Sequence, residues 1–131
     1  MDSTVLTYPL VITVGAIAGA LIRFYITEYS KRNWGEKFPY GTFIINISGS
    51  LLLGFFVTIS SGIFSYTKEL ELIIKIGFLG SYTTFSTYEW ETLFLWRKNK
   101  VATTVIYWLS SSVLGVMAVY LGSFLANLLI K

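Results

Sequence analysis

The 131-residue chain contains no cysteine and no histidine. Those two absences exclude disulfides, thiol nucleophiles, Cys/His zinc sites and imidazole acid–base chemistry. Charge is scarce as well: Asp, Glu, Lys and Arg make up 13% of the residues, against about 25% in a soluble domain. The net charge of +3 is small, and the basic residues flank apolar blocks instead of forming a face, which argues against nucleic acid as a partner. What is abundant is hydrophobic surface, at 54% of the residues, with 18% aromatic. Composition therefore points to the lipid bilayer.

Four apolar blocks carry that surface, at about 5–27, 41–63, 70–96 and 101–130. Each is long enough to cross a hydrocarbon core of about 30 Å as a helix. The first lacks the early lysines or arginines of a secretory signal, so it reads as a retained helix. Gly15 and Gly19 within it form a G-x-x-x-G pair, either a close-packing face or a coincidence of a Gly/Ala-rich helix. Arg23, near its end, is either an interfacial arginine reaching headgroups or a fixed charge near a pore or a carboxylate. Tyr29 to Tyr40 reads as a loop, and Ser65 to Glu71 and Arg97 to Lys100 as short polar connections. In the second block, Thr42, Asn46 and Gly49 share one helical face. In the fourth, Tyr107, Ser111 and Gly115 do so. The expectation is an all-α membrane protein, one transmembrane domain over 1–131, with four spans and both termini on one side. Lysine and arginine counts place the first and third loops in the cytoplasm, by a moderate margin.

The stretch from Gly77 to Glu91 is the polar anomaly: two glycines, then Ser81-Tyr82-Thr83-Thr84-Phe85-Ser86-Thr87-Tyr88, then Glu89 and Glu91. Glycines lower helix propensity, and a β-branched, hydroxylated run suits an interrupted segment. A break at membrane depth is tolerated where the freed backbone lines a cavity or binds an ion. Carbonyls with threonine hydroxyls would suit a small hard cation such as Na⁺. The other polar groups are mainly donors, and the rings of Phe85 and Tyr88 could turn electropositive edges toward a small anion.

Three strings in order, Gly-x-x-x-Gly-Ala-x-x-Arg-Phe-Tyr at 15–25, Gly-Thr-Phe-Ile-Ile-Asn at 41–46 and Gly-Phe-Leu-Gly-Ser-Tyr-Thr-Thr-Phe-Ser-Thr-Tyr at 77–88, closely resemble the Fluc/CrcB fluoride channels. The resemblance covers essentially the whole chain. It implies a passive, fluoride-selective channel of the cell membrane that exports cytoplasmic fluoride and relieves its toxicity. It further implies an antiparallel homodimer with two pores, a third helix broken near mid-membrane, and a central structural Na⁺ on the carbonyls of Gly80 and Thr83. The anion pathway implied comprises Thr42, Asn46, Phe85, Ser86, Thr87, Tyr88, Tyr107 and Ser111, with Arg23 and Glu91 as supporting charges. Two residues depart from the family pattern. Tyr88 stands where phenylalanine is usual, which adds a hydroxyl, and Gly115 stands where a small polar residue often continues the path.

Two other classes compete. A small four-helix drug exporter would need a carboxylate deep in its first span, and none is there. A structural or assembly protein would carry no ion flux. No nucleophile–base pair supports an enzyme.

Overall fold

The computed structural model describes residues 4–62 and 67–130. They are helical throughout apart from short connections: α1 (Thr4–Trp34), α2 (Tyr40–Ser61), α3 (Lys68–Glu71), a π-helical segment (Leu72–Leu79), α4 (Gly80–Tyr82), α5 (Phe85–Arg97) and α6 (Val101–Ile130). The end of the second apolar block at Ile63 lies outside the described residues. So do Ser65 and Tyr66 of the expected second connection, whose remainder, from Lys68, is helical.

Helices α1, α2 and α6 are each long and apolar enough to cross a membrane. The elements from α3 to α5 together make the fourth crossing, so the expected four-span, all-α architecture holds. The loop expected over Tyr29–Tyr40 is shorter. Helix α1 has 31 residues and is about 46 Å long, so its last turns run beyond the hydrocarbon thickness while staying helical. They end at Gly35, whose φ of 74° is the left-handed stop that glycine adopts freely. Tyr29, Trp34 and Tyr40 pack edge to face across this turn, at 5.9 and 5.8 Å between centroids, the ring type favoured at a membrane–water boundary. Asn99, at φ 56°, makes the equivalent stop after α5.

Two helix pairs form the bundle, and glycines set the spacing of both. On α1, a Cβ at Gly15 would strike the Ile73 carbonyl, and one at Gly19 the Phe78 carbonyl and Ser81 Oγ; Gly77 returns the contact against Ile12. The G-x-x-x-G pair is therefore a packing face, held against the third span. Between α2 and α6, Gly54 sits on the Val119 carbonyl and Gly122 on the Leu51 carbonyl. Close backbone approach supplies dispersion contact in lipid, where exclusion of water drives nothing between apolar helices. The outer surface is apolar: Leu6, Leu10, Val14, Ile17 and Leu21 form a stripe along α1, each 51–66% exposed, as lipid-facing positions require. Fully buried side chains are few, and the largest are Tyr107, Ile45 and Thr42.

Candidate functional site

The third span stops being helical at two residues. Thr83 (φ −81°, ψ 159°) and Thr84 (φ −150°, ψ 122°) are extended, and Thr84 caps α5 by accepting the Thr87 amide on Oγ1 at 3.3 Å. Gly80 keeps helical angles. Gly77 permits close packing on α1, while the β-branched threonines make the break.

Each backbone group at the break has a definite destination. In an unbroken helix the Thr84 amide would close on the Gly80 carbonyl. Instead it donates to Asn46 Oδ1 at 2.9 Å, while Asn46 Nδ2 donates to the Thr84 carbonyl at 2.9 Å. Asn46 is thus a two-point clamp that satisfies an extended residue inside the bundle. The Thr87 amide, which would close on the Thr83 carbonyl, goes to the Thr84 hydroxyl. The carbonyls of Gly80 and Thr83 are thereby released from the helical ladder.

Those two carbonyls stand at an open edge. Gly80 is exposed, and a Cβ placed on it would meet nothing within 4 Å. Arg23 Nη1 lies 3.5 Å from the Thr83 carbonyl, so this arginine points at the break, and among the described residues it is paired with no carboxylate. Among the described residues no three His, Cys, Asp or Glu side chains converge. A cation at this edge would find neutral oxygen donors, a set that suits a small hard ion such as Na⁺.

An open pocket of about 320 Å³ adjoins the break, lined by Asn46, Ser50, Lys75, Gly80, Thr83 and Phe85 among others. Phe85 is 74% exposed, an unusual position for a ring one residue beyond a polar break. Ser86 and Thr87 are exposed beside it, and the Thr87 and Ser86 oxygens lie 3.0 and 3.5 Å from Thr84 Oγ1. Tyr88 faces the other way and is buried, 6.0 Å from Phe85 between ring centroids. Its hydroxyl donates to the Trp108 carbonyl at 2.9 Å. Within the subunit the added phenol therefore ties α5 to α6.

Further along, Glu91 is partly buried, because α2 and α6 converge on it. Thr42 Oγ1 donates to Glu91 Oε1 at 3.0 Å and the Tyr107 hydroxyl to Oε2 at 2.8 Å. A second pocket of about 230 Å³ opens onto this cluster, with Lys31, Tyr40, Thr42, Trp90 and Glu91 in its lining. One turn from Tyr107, Ser111 Oγ is buried and has no partner, the single such side-chain atom among the described residues. Buried polar atoms are rarely left so, and an orphan is a donor awaiting something.

Sequence reasoning passed over three contributors. Thr84 is the cap and the clamp's target, and its hydroxyl three residues before Thr87 is a helix-start signal. Ser81 Oγ lies 2.8 Å from both the Ala16 and Gly77 carbonyls and ties α1 to the third span. Lys75 reaches the pocket, and nothing local in the sequence indicates that.

An apolar bundle with one interrupted span, whose break is clamped by a neighbouring amide between two pockets, is the architecture of a multi-pass membrane protein. Residues 10–123 match the family described as CrcB-like protein, Camphor Resistance (CrcB), and the chain belongs to it. A Synechococcus sp. protein named fluoride-specific ion channel FluC is 44% identical over 128 residues, covering 98% of each chain. Another, named FluC 2, from Clostridium acetobutylicum, is 39% identical over 117 residues, 89% of this chain and 96% of that one. A Legionella pneumophila relative, also named FluC, is 35% identical over 118 residues. These relatives are named as ion channels, and the chain, a member of the same family, is not an enzyme.

Proposed function

We propose that the protein is a passive, fluoride-selective channel of the cell membrane that lets cytoplasmic fluoride out down its electrochemical gradient. The observation that carries this reading is the break at Thr83–Thr84, clamped by Asn46, beside an open pocket that Asn46, Ser50 and the Phe85 ring help to line. Fluoride is small and holds its water tightly, so a path for it must offer replacement donors at short spacing. Asn46 keeps one amide hydrogen beyond its bond to Thr84. The Phe85 ring edge, the hydroxyls of Ser86 and Thr87, and the orphan Ser111 continue the sequence of electropositive groups. The ring of Tyr88 and the hydroxyl-bonded cluster of Thr42, Tyr107 and Glu91 lead to the second pocket.

In this reading two copies associate antiparallel and form two pores, with the open edges at Gly80 and Thr83 meeting at the centre. A Na⁺ bound there would supply a fixed charge that holds the released carbonyls together. Arg23, beside Thr83, contributes positive potential to the same region.

The test is ion release from liposomes containing the purified protein. Fluoride should leave rapidly under a potassium-ionophore potential while chloride stays inside. Equal release of both ions, or of neither, would sink the proposal. Phe85→Ile should sharply slow fluoride release with the protein still folded; an unchanged rate would remove Phe85 from the path.

A further inference from the structure

Helices α2 and α6 run parallel in one constant register. Thr58 Oγ1 donates to Ser123 Oγ, 65 residues away, at 2.7 Å, and the contact of Gly54 with Val119 has the same offset. So does the pair Thr42 and Tyr107, which meet on the carboxylate of Glu91. Positions four apart along each helix therefore face each other as rungs about 6 Å apart. This register sets Asn46 level with Ser111, and Ser50 level with Gly115.

At the rung of Ser50 and Gly115 only α2 has a side chain. A Cβ placed on Gly115 would meet Ser50 Oγ at 3.7 Å and, outside its own helix, nothing else within 4 Å. The space opposite the hydroxyl is therefore open. The hydroxyl is also unspent. Ser48 and Ser61 on the same helix donate to carbonyls one turn back, at 2.7 and 2.9 Å, which is how serine satisfies itself in an apolar helix. Ser50, half-buried, forms no hydrogen bond with any described residue. It stands one turn from Asn46 and lines the same pocket. The next rung is closed, because Gly54 packs on the Val119 carbonyl.

We propose that Ser50 is a donor on the anion path, acting from α2 at the level where Gly115 leaves α6 bare. The proposal rests on the channel reading and adds a residue to it. The Ser50 hydroxyl turns into the gap over Gly115 and offers its hydrogen to fluoride, one turn from the level of Asn46 and Ser111. A gap of one missing side chain with one short donor suits a small anion.

The experiment measures fluoride release from liposomes holding full-length wild type, Ser50→Ala, and Ser50→Ala combined with either Gly115→Ser or Gly115→Ala. Ser50→Ala should slow release at least about ten-fold, the factor that one hydrogen bond to a charged group is worth. Its thermal melt in detergent should be unchanged, because no bond within the protein is lost. Adding Gly115→Ser should restore most of the rate, since it returns a hydroxyl to the same gap from the facing helix. Adding Gly115→Ala fills the gap without a donor and should restore nothing. A Ser50→Ala protein that conducts as wild type overturns the role of Ser50. A slowed Ser50→Ala protein with a lowered melt, or one rescued equally by Gly115→Ala, makes the effect one of packing and overturns it too. Failure of Gly115→Ser to restore release overturns the placement of the ion at this rung. A wild type that releases no fluoride overturns the channel reading and this inference with it.

Discussion

Asn46 shows how much one side chain can do in a membrane protein. Its two bonds to Thr84 replace what a helix would have supplied, and each backbone group left unpaired there would cost roughly 1–3 kcal/mol. Asn46→Asp keeps an acceptor for the Thr84 amide but sets acceptor against acceptor at the Thr84 carbonyl. Fluoride release should fall at least about ten-fold, since one lost bond of this kind is worth that factor. Wild-type release in liposomes would count against the clamp. Tyr88→Phe separates the two uses of the ring. The bond to Trp108 disappears, lowering stability by about 0.5–1.5 kcal/mol. The edge remains, so release should stay within about two-fold of wild type. A thermal melt in detergent reads the first effect and liposome efflux the second. A large loss of efflux with an unchanged melt would assign the hydroxyl to the ion.

At the scale of the element, the third span is one helix divided among three jobs. Its π-helical part lies against α1 through Gly15, Gly19 and Gly77. Its break presents carbonyls, and its second half, α5, locks to α2 and α6 through Glu91 and Tyr88. Gly19 on α1 and Gly80 on the third span should therefore respond differently to added bulk. Gly19→Val on the facing helix drives a side chain into the Phe78 carbonyl and Ser81, and overpacking of this kind costs about 1–3 kcal/mol. It should abolish a monodisperse species on gel filtration. Gly80→Leu meets open space within the subunit. It should leave helicity intact while converting the proposed dimer to monomer in light scattering. A Gly80→Leu protein that remains dimeric would remove this edge from the subunit contact.

For the whole molecule, the consequence to examine is orientation. The expected basic bias places Lys31, Arg32, Lys37, Arg97, Lys98 and Lys100 at one end, while the proposed assembly requires the chain to insert both ways. The lack of native cysteine makes this directly measurable. Lys37→Cys, in the short loop after α1, should be labelled by an impermeant maleimide from outside the cell at roughly half of its sites, the rest only after permeabilisation. Labelling wholly from one side would mean that the basic bias sets a single topology.

Much of this architecture was legible in local patterns. Runs of apolar residues long enough to cross lipid, punctuated by Lys, Arg, Gly and Pro, dictate four crossings, because lipid admits nothing but helices or closed barrels. The hydroxyl run between Gly80 and Tyr88 marks the interrupted crossing for the same reason. Which backbone groups the break releases was decided only in three dimensions, since it depends on Asn46 arriving from another helix with both its donor and its acceptor aligned on Thr84. The pairing of Glu91 with Thr42 and Tyr107 joins three separate helices, and no spacing along the chain encodes it. Lys75 is a further case: its ammonium meets Ser60 Oγ of α2 as well as Glu71 Oε1 on its own span, and the first of these depends on the two helices packing side by side.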